Sequence, residues 1–143
     1  MKYSNFRFAI LPVVLLAVSL SGCGENVRLQ GKVTFSDDNS PLTGGAVYFE
    51  TDDYVARGEL KPDGSYQVGS LSSRDGILPG TYRVYITGAT RDVGVDKDGM
   101  PISESLIDGK YASGTTSGLE IDVTNETRRF DIVVDRPATA KKP

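Results

Sequence analysis

Residues 62–87 read PDGSYQVGSLSSRDGILPGTYRVYIT and contain two short runs in which apolar and polar residues alternate. A glycine turn introduces each run. The alternating apolar residues are Tyr66 and Val68 in the first run and Tyr82, Val84 and Ile86 in the second. A side-chain period of two after such a turn is typical of the central strands of a small antiparallel sandwich.

The rest of the chain extends this pattern to seven predicted strands, with turn-rich segments between them and no long helix. The strands are residues 27–35, 45–51, 54–61, 65–70, 80–88, 119–123 and 130–134. Their number and spacing predict an all-β fold, a seven-stranded antiparallel sandwich. Asn125, Glu126 and Thr127 are predicted to form a hairpin turn between the last two strands.

Residues 89–116 are the one long connection in this pattern. They show no clear periodicity and exceed the usual length of sandwich connections, and such loops tend to be functional, packed or disordered. The apolar residues of the second half predict that it packs back on the sandwich, with a short helical turn near residues 104–107. We therefore search this segment first for a functional site.

Composition excludes several classes of function. The 143 residues include no histidine and one cysteine, so Ser-His-Asp and Cys-His catalytic arrangements and Cys/His zinc sites are not available. Paired carboxylates remain at Asp37-Asp38 and Asp52-Asp53, but these pairs lie in predicted turns, where solvated aspartates are expected. The formal net charge is -3, and nucleic-acid binding needs clustered basic residues. We predict no enzyme activity, no cofactor and no nucleic-acid partner.

The N-terminus has the pattern of a secretory signal. Lys2 and Arg7 precede an apolar run over residues 8–20, which is short for a bilayer span of about 20 residues but right for a signal-peptide core. The run ends in Leu-Ser-Gly-Cys, which resembles the bacterial lipobox. Cleavage before Cys23 and acylation of that residue, with palmitate among the attached chains, would anchor the chain in a membrane. Two alternatives stay open, an ordinary cleavage site near the cysteine and an uncleaved anchor helix.

The predicted domain boundaries follow from this signal. Residues 1–22 form the signal peptide, 23–26 an acylated tether, 27–135 the sandwich domain and 136–143 a flexible polar tail. Removing the signal peptide takes away two basic residues and no acidic one, so the mature chain is the more acidic form. Gly24 stands where enterobacterial retention signals have aspartate, which favours the outer membrane, with the domain on its periplasmic or cell-surface face.

Several short motifs, taken in order, resemble known proteins. They are GKVT (31–34) with PLTGGAVYF (41–49), DGSY (63–66), LPGTYRV (78–84), KY (110–111) and TSGL (116–119). The first three resemble carboxypeptidase regulatory-like domains, with 31–49 similar to the family's first hairpin. The last two are similar to small lipoproteins of planctomycete-type bacteria. The resemblance spans most of residues 27–135 and implies a transthyretin-like (Ig-like) sandwich in a lipoprotein setting; it supplies no catalytic residue.

The long connection also contains a partial metal motif. Residues 96–99, DKDG, resemble the middle of a calcium loop, but Gly94 and Ser105 stand where an EF-hand needs ligands. Two interpretations of these residues stay open, a calcium site with looser geometry and a solvated loop that binds no metal. The weak metal candidates are Asp92, Asp96 and Asp98.

Tyrosines suggest a second kind of binding site. Outward aromatic rings stack on sugars, as in related starch-binding-like sandwiches, although outward tyrosines also simply cover sheet surfaces. The candidates are Tyr48, Tyr54, Tyr85 and Tyr111.

These observations together predict a membrane-anchored, non-catalytic envelope lipoprotein with a structural or protein-binding role. Its expected partners are the lipid bilayer, through acylated Cys23, and an envelope protein or a glycan. The alternative is a carbohydrate- or cell-wall-binding module.

Overall fold

The computed structural model describes residues 25–70, 72 and 75–138, and nine strands lie in this part of the chain. A short 3-10 helix, Gly109–Ala112, precedes the eighth strand. The strands are β1 (Gln30–Phe35), β2 (Ala46–Glu50), β3 (Val55–Glu59), β4 (Ser65–Gln67), β5 (Gly80–Thr87), β6 (Thr90–Val95), β7 (Pro101–Ser105), β8 (Leu119–Val123) and β9 (Ile132–Val134).

Seven of these strands form two facing sheets. One has the order β4-β1-β9 and the other the order β3-β2-β5-β8. The predicted fold class, a seven-stranded sandwich, is confirmed. One pair departs from the expected antiparallel arrangement, because β1 and β9 run parallel, with Val33 opposite Ile132.

Alternation along the strands builds the core between the sheets. In β1 and β5 every second residue is buried, as a period of two requires when one face of a strand is covered. The fully buried side chains include Leu29, Phe49 and Tyr82. All buried residues of the core cluster lie between Val27 and Val134. We therefore expect residues 24–143 to fold on their own.

The residues before β9 cross closely over β1. The Phe130 amide donates to the Gln30 carbonyl at 2.9 Å, and the Tyr66 hydroxyl donates to the Phe130 carbonyl at 2.5 Å. A Cβ on Gly31 would collide with that same carbonyl. A glycine is required here because two backbones approach too closely for a side chain.

One predicted hairpin is wrong. Residues 125–126 do form a turn, but β8 pairs with β5 while β9 pairs with β1 in the other sheet. The chain does turn back between the motifs 31–34 and 41–49, where Pro41 pairs antiparallel with Thr34. Beyond this short pairing, β1 and β2 lie in different sheets. Alternation along one strand reports its buried face; it does not report which strand lies beside it.

The prediction of an unpaired connection over residues 89–116 is also wrong. β6 and β7 pair antiparallel as a separate two-stranded sheet, with a bulge between Asp92 and Gly94. Their residues are all exposed, so no buried face imposes a hydrophobic period on the sequence. The helical turn expected near 104–107 begins instead at Gly109, where the Asp108 side chain accepts from the Lys110 amide at 2.9 Å. The expected packing of the second half is confirmed by Ile107 and Tyr111, which are buried.

Arg136, assigned to the polar tail by sequence, is held by the sandwich. Its guanidinium lies 3.7 Å from the centre of the Phe35 ring and forms ion pairs with Asp37 at 2.9 Å and Asp38 at 3.1 Å. Ordered structure therefore continues past residue 135.

Candidate functional site

The predicted signal peptide and Cys23 lie outside the described residues. Near the start of the described chain, the Val27 amide donates to the Ile77 carbonyl at 2.7 Å. Within residues 25–138, as far as they are described, no helix is long and apolar enough to cross a membrane.

The β6–β7 hairpin is the most exposed element of the described chain. No residue of either strand is buried or half-buried. Four large apolar side chains on it nevertheless face water, with exposed fractions of 51% for Val93, 67% for Val95, 62% for Met100 and 46% for Ile102. A concentration of exposed apolar residues on one element is typical of an interaction surface.

Polar contacts hold the hairpin in shape. Arg91 donates to Glu104 across the two strands at 2.8 and 3.2 Å, and Ser103 donates to Asp92 at 2.9 Å. A two-stranded hairpin without a packed face is marginally stable in water. These cross-strand contacts offset part of that weakness, and the apolar side chains remain uncovered.

The aspartates of the partial calcium motif are engaged within the hairpin. One carboxylate oxygen of Asp96 accepts from the amides of Asp98 and Met100, each at 2.9 Å, and so closes the tip. Asp92 accepts from Ser103 instead. Among the described residues, no group of three or more acidic or cysteine side chains is placed to hold a metal ion. The structure thus does not bring Asp92, Asp96 and Asp98 together as ligands.

The hairpin and the N-terminal tether leave the sandwich at opposite ends of β5. Val27 pairs with Ile77, three residues before β5 begins at Gly80, whereas the hairpin follows its other end at Thr87. Eight residues of strand separate these ends by about 23 Å.

The segment that follows the hairpin is docked by a charged network. Asp135 accepts from Lys110 and Ser36, each at 2.7 Å, and from the Tyr111 hydroxyl at 3.1 Å. These hydrogen bonds, that of Lys110 above all, lower the pKa of Asp135 from 3.8 to about 2. These hydrogen bonds join the 3-10 helix that follows the hairpin to Asp135, directly after β9.

The four tyrosines of the sugar-binding prediction do not form one platform. Tyr111 is buried, and Tyr54 is half-buried, with its ring edge-on to Tyr82 at 6.1 Å. Tyr48 and Tyr85 are adjacent but stack on each other, with ring centres 5.1 Å apart and planes 9° apart. Mutual stacking uses one face of each ring. The carbohydrate prediction therefore depends on Tyr48 and Tyr85 alone.

Three of the four paired carboxylates form ion pairs. Asp52 pairs with Arg83 at 3.0 Å, while Asp37 and Asp38 both pair with Arg136. Hydrogen bonds from Ser40 lower the pKa of Asp38. A carboxyl group that acts as a general acid needs a raised pKa, which burial produces.

Sequence reasoning missed the hairpin although a signal for it was present. The sequence has Asp98-Gly99 between Val95 and Ile102, a pattern that favours a hairpin. The structure has a three-residue loop here, in which the Gly99 amide donates to the Asp96 carbonyl at 3.1 Å. Gly99 has φ +80°, as the last residue of such a loop requires. The DKDG motif is therefore the turn of the hairpin.

No protein family and no curated protein sequence matches the chain. Solved structures with some similarity include two crystal structures of BcpA, the major pilin subunit of Bacillus cereus. They have TM-scores of 0.46 and 0.45 at 12% and 11% identity, and the match covers 78% of this chain and 30% and 29% of the pilin chains. A 9R-lipoxygenase from Cyanothece has a TM-score of 0.41 at 15% identity, over 98% of this chain and 19% of that chain. This chain spans less than a third of each, and similarity at this level assigns no function.

Proposed function

We propose that the chain is a bacterial lipoprotein, anchored through acylated Cys23, whose non-catalytic sandwich binds an envelope protein through the β6–β7 hairpin. The observation that carries this proposal is the hairpin itself. Four exposed apolar side chains are displayed on an element that contributes nothing to the buried core. Covering them with a partner would remove that apolar surface from water, which favours binding.

The lipid anchor is supported by the sequence around Cys23. A charged start, a short apolar core and two small residues precede this cysteine. Attached acyl chains contribute about 0.8 kcal/mol per buried methylene, so two or three of them hold a protein firmly. The Gly24 that follows favours the outer membrane.

Metabolic labelling tests the anchor. Radiolabelled palmitate should be incorporated into the full chain and absent from the Cys23→Ser variant. Equal labelling of the two proteins would exclude acylation at Cys23.

Capture with matched variants tests the hairpin. Immobilised residues 24–143 would be presented to envelope fractions as wild type and as two double variants. The hairpin variant carries Val93→Thr and Ile102→Thr. The control carries Val55→Thr and Val133→Thr, which are exposed to a similar degree, 46% and 53%, but lie on β3 and β9. Threonine keeps a β-branched side chain in each strand.

We expect a protein that the wild type and the control retain and the hairpin variant loses. Equal retention by all three would exclude the hairpin as the binding surface. Binding of the same domain to a glycan array, with no protein retained, would favour the carbohydrate alternative in place of the proposal.

A further inference from the structure

Two arginines of the described chain, unlike the others there, form no ion pair with a carboxylate. Five of the seven arginines there form an ion pair with a carboxylate. Arg28 and Arg128 form none. Both are exposed, and both line the same cleft. In a chain with an acidic net charge, two unpaired guanidinium groups in one place create a local site for an anion.

The cleft is large enough for a phosphate group, and four of its five lining residues have polar side chains. Its volume is about 260 Å³, and it lies between the start of β1 and the residues that lead to β9. No carboxylate is among its lining residues, which are Arg28, Leu29, Gln30, Gln67 and Arg128. Guanidinium groups bind phosphate oxygens with paired hydrogen bonds, and a glutamine amide adds a neutral donor.

Backbone contacts position both arginines. Val27 pairs with Ile77 directly before Arg28, and the Gln30 amide donates to the Arg128 carbonyl at 3.1 Å. The Arg128 guanidinium also donates to the Thr127 carbonyl at 3.0 Å. The two arginines are thus brought to one cleft by the crossing of residues 128–130 over β1.

The cleft lies beside the N-terminal tether. Five residue steps separate Cys23 from Arg28, so a fully extended chain spans at most about 18 Å. The polar headgroup region of a bilayer is roughly 5–8 Å thick on each side. A protein held by acyl chains at Cys23 keeps Arg28 within reach of that region, whereas the hairpin lies at the far end of β5.

We propose that this cleft binds the phosphate of a phospholipid headgroup in the membrane that carries the anchor. The proposal rests on the lipid anchoring proposed above. Binding at the cleft fixes the orientation of the sandwich on the bilayer, with the hairpin directed outward. An acyl anchor alone fixes only the position of one residue; the second contact adds orientation.

Nuclear magnetic resonance on residues 24–143 tests the site without the anchor. Backbone amides of the cleft would be followed in three titrations: soluble dihexanoyl phosphatidylglycerol below its micelle concentration, inorganic phosphate, and sodium chloride at matched ionic strength. The test variant carries Arg28→Gln and Arg128→Gln. The control variant carries Lys61→Gln and Lys97→Gln, the same change of charge at two exposed residues outside the cleft.

The lipid should shift the amides of Gln30, Gln67 and Arg128 in the wild type and the control. The test variant should bind about twenty-five-fold more weakly, roughly fivefold for each arginine. Shifts with phosphate but not with the lipid would overturn the headgroup assignment. No specific shift with either, or equal affinity in all variants, would overturn the site. Because this experiment omits acylation, its failure is distinguishable from a failure of palmitate labelling at Cys23.

Discussion

Two buried tyrosine hydroxyls, one with a hydrogen-bond partner and one without, show how single polar atoms affect the stability of this sandwich. The Tyr66 hydroxyl is buried and donates to the Phe130 carbonyl, and burial raises its pKa. The Tyr54 hydroxyl is buried among the described residues without a hydrogen-bond partner. A satisfied buried hydroxyl stabilises the fold, whereas an unsatisfied one carries a desolvation cost.

Replacing each of these tyrosines by phenylalanine should therefore have opposite effects. Tyr66→Phe removes a hydrogen bond at the crossing of β1 and should lower the free energy of unfolding by about 1–2 kcal/mol. Tyr54→Phe removes only the unpaired hydroxyl and should leave stability unchanged or raise it. Urea unfolding of residues 24–143 measures both. An equal loss in the two variants would contradict this description of the hydroxyls.

Gly31 is the second position where one atom decides the fold. In Gly31→Ala the new methyl group meets the Phe130 carbonyl, so a backbone must move. We expect a loss of about 3 kcal/mol or more, or failure to fold. The control is Gly109→Ala, where no atom lies within 4 Å of the new carbon. It should be neutral or stabilise by up to about 1 kcal/mol. Similar melting temperatures for the two variants would contradict the close crossing.

Among the elements, the segment after the hairpin should respond to acid. The pKa of Asp135 is about 2 in the folded protein and near 3.8 without its partners. A lowered folded pKa gives stability that is present above pH 4 and is lost as pH falls from about 4 to 2. The protection factors for hydrogen exchange at the amides of Asp108 and Tyr111, which are corrected for the intrinsic pH dependence of exchange, should fall over this range.

The Asp135→Asn variant provides the control for this pH dependence. It cannot titrate at residue 135, so the protection factors of the same amides should be lower at pH 6 and vary less toward pH 2. An unchanged pH profile in this variant would assign the effect to other carboxyls.

The hairpin itself should be removable without loss of the sandwich. No residue from 90 to 105 belongs to the core cluster, and the Leu106 amide donates to the Ala89 carbonyl at 2.8 Å at its base. Replacing residues 90–105 by two glycines should shift the melting temperature by less than about 4 °C, the shift expected for roughly 1 kcal/mol. A much larger loss would mean that the hairpin supports the fold, which conflicts with its role as a displayed element.

The presence or absence of a buried face explains which strands could be predicted from the sequence. β1, β2, β5 and β8 have one buried face, so burial imposed alternation on their residues, and their positions were predictable. β6 and β7 have no buried face, and only the turn chemistry of residues 98–99 marked them. The pairing of β9 with β1 depends on contacts between distant residues, such as Phe130 with Gln30, which no local pattern encodes.

At the scale of the whole molecule, the two ends of the sandwich differ in charge and in polarity. The end beside the tether carries Arg28 and Arg128 in one cleft, and the other end carries the hairpin with its exposed apolar side chains. The pairing of the two arginines was not visible in sequence, because residues 28 and 128 are brought together only by the crossing over β1. We propose that the chain is held at Cys23 with the hairpin directed away from the bilayer.

Spin labelling of the acylated full chain in lipid vesicles tests this claim most directly. Cys23 is the one cysteine of the chain, so acylation leaves an introduced Lys97→Cys or Asn26→Cys as the thiol that reacts with the label. Relaxation by a water-soluble nickel chelate is compared with relaxation by oxygen, which concentrates in the bilayer. The label at residue 97 should respond mainly to the nickel chelate, and the label at residue 26 should be shielded from it by the membrane surface. A label at residue 97 that responds mainly to oxygen would contradict the proposed orientation of the hairpin away from the bilayer.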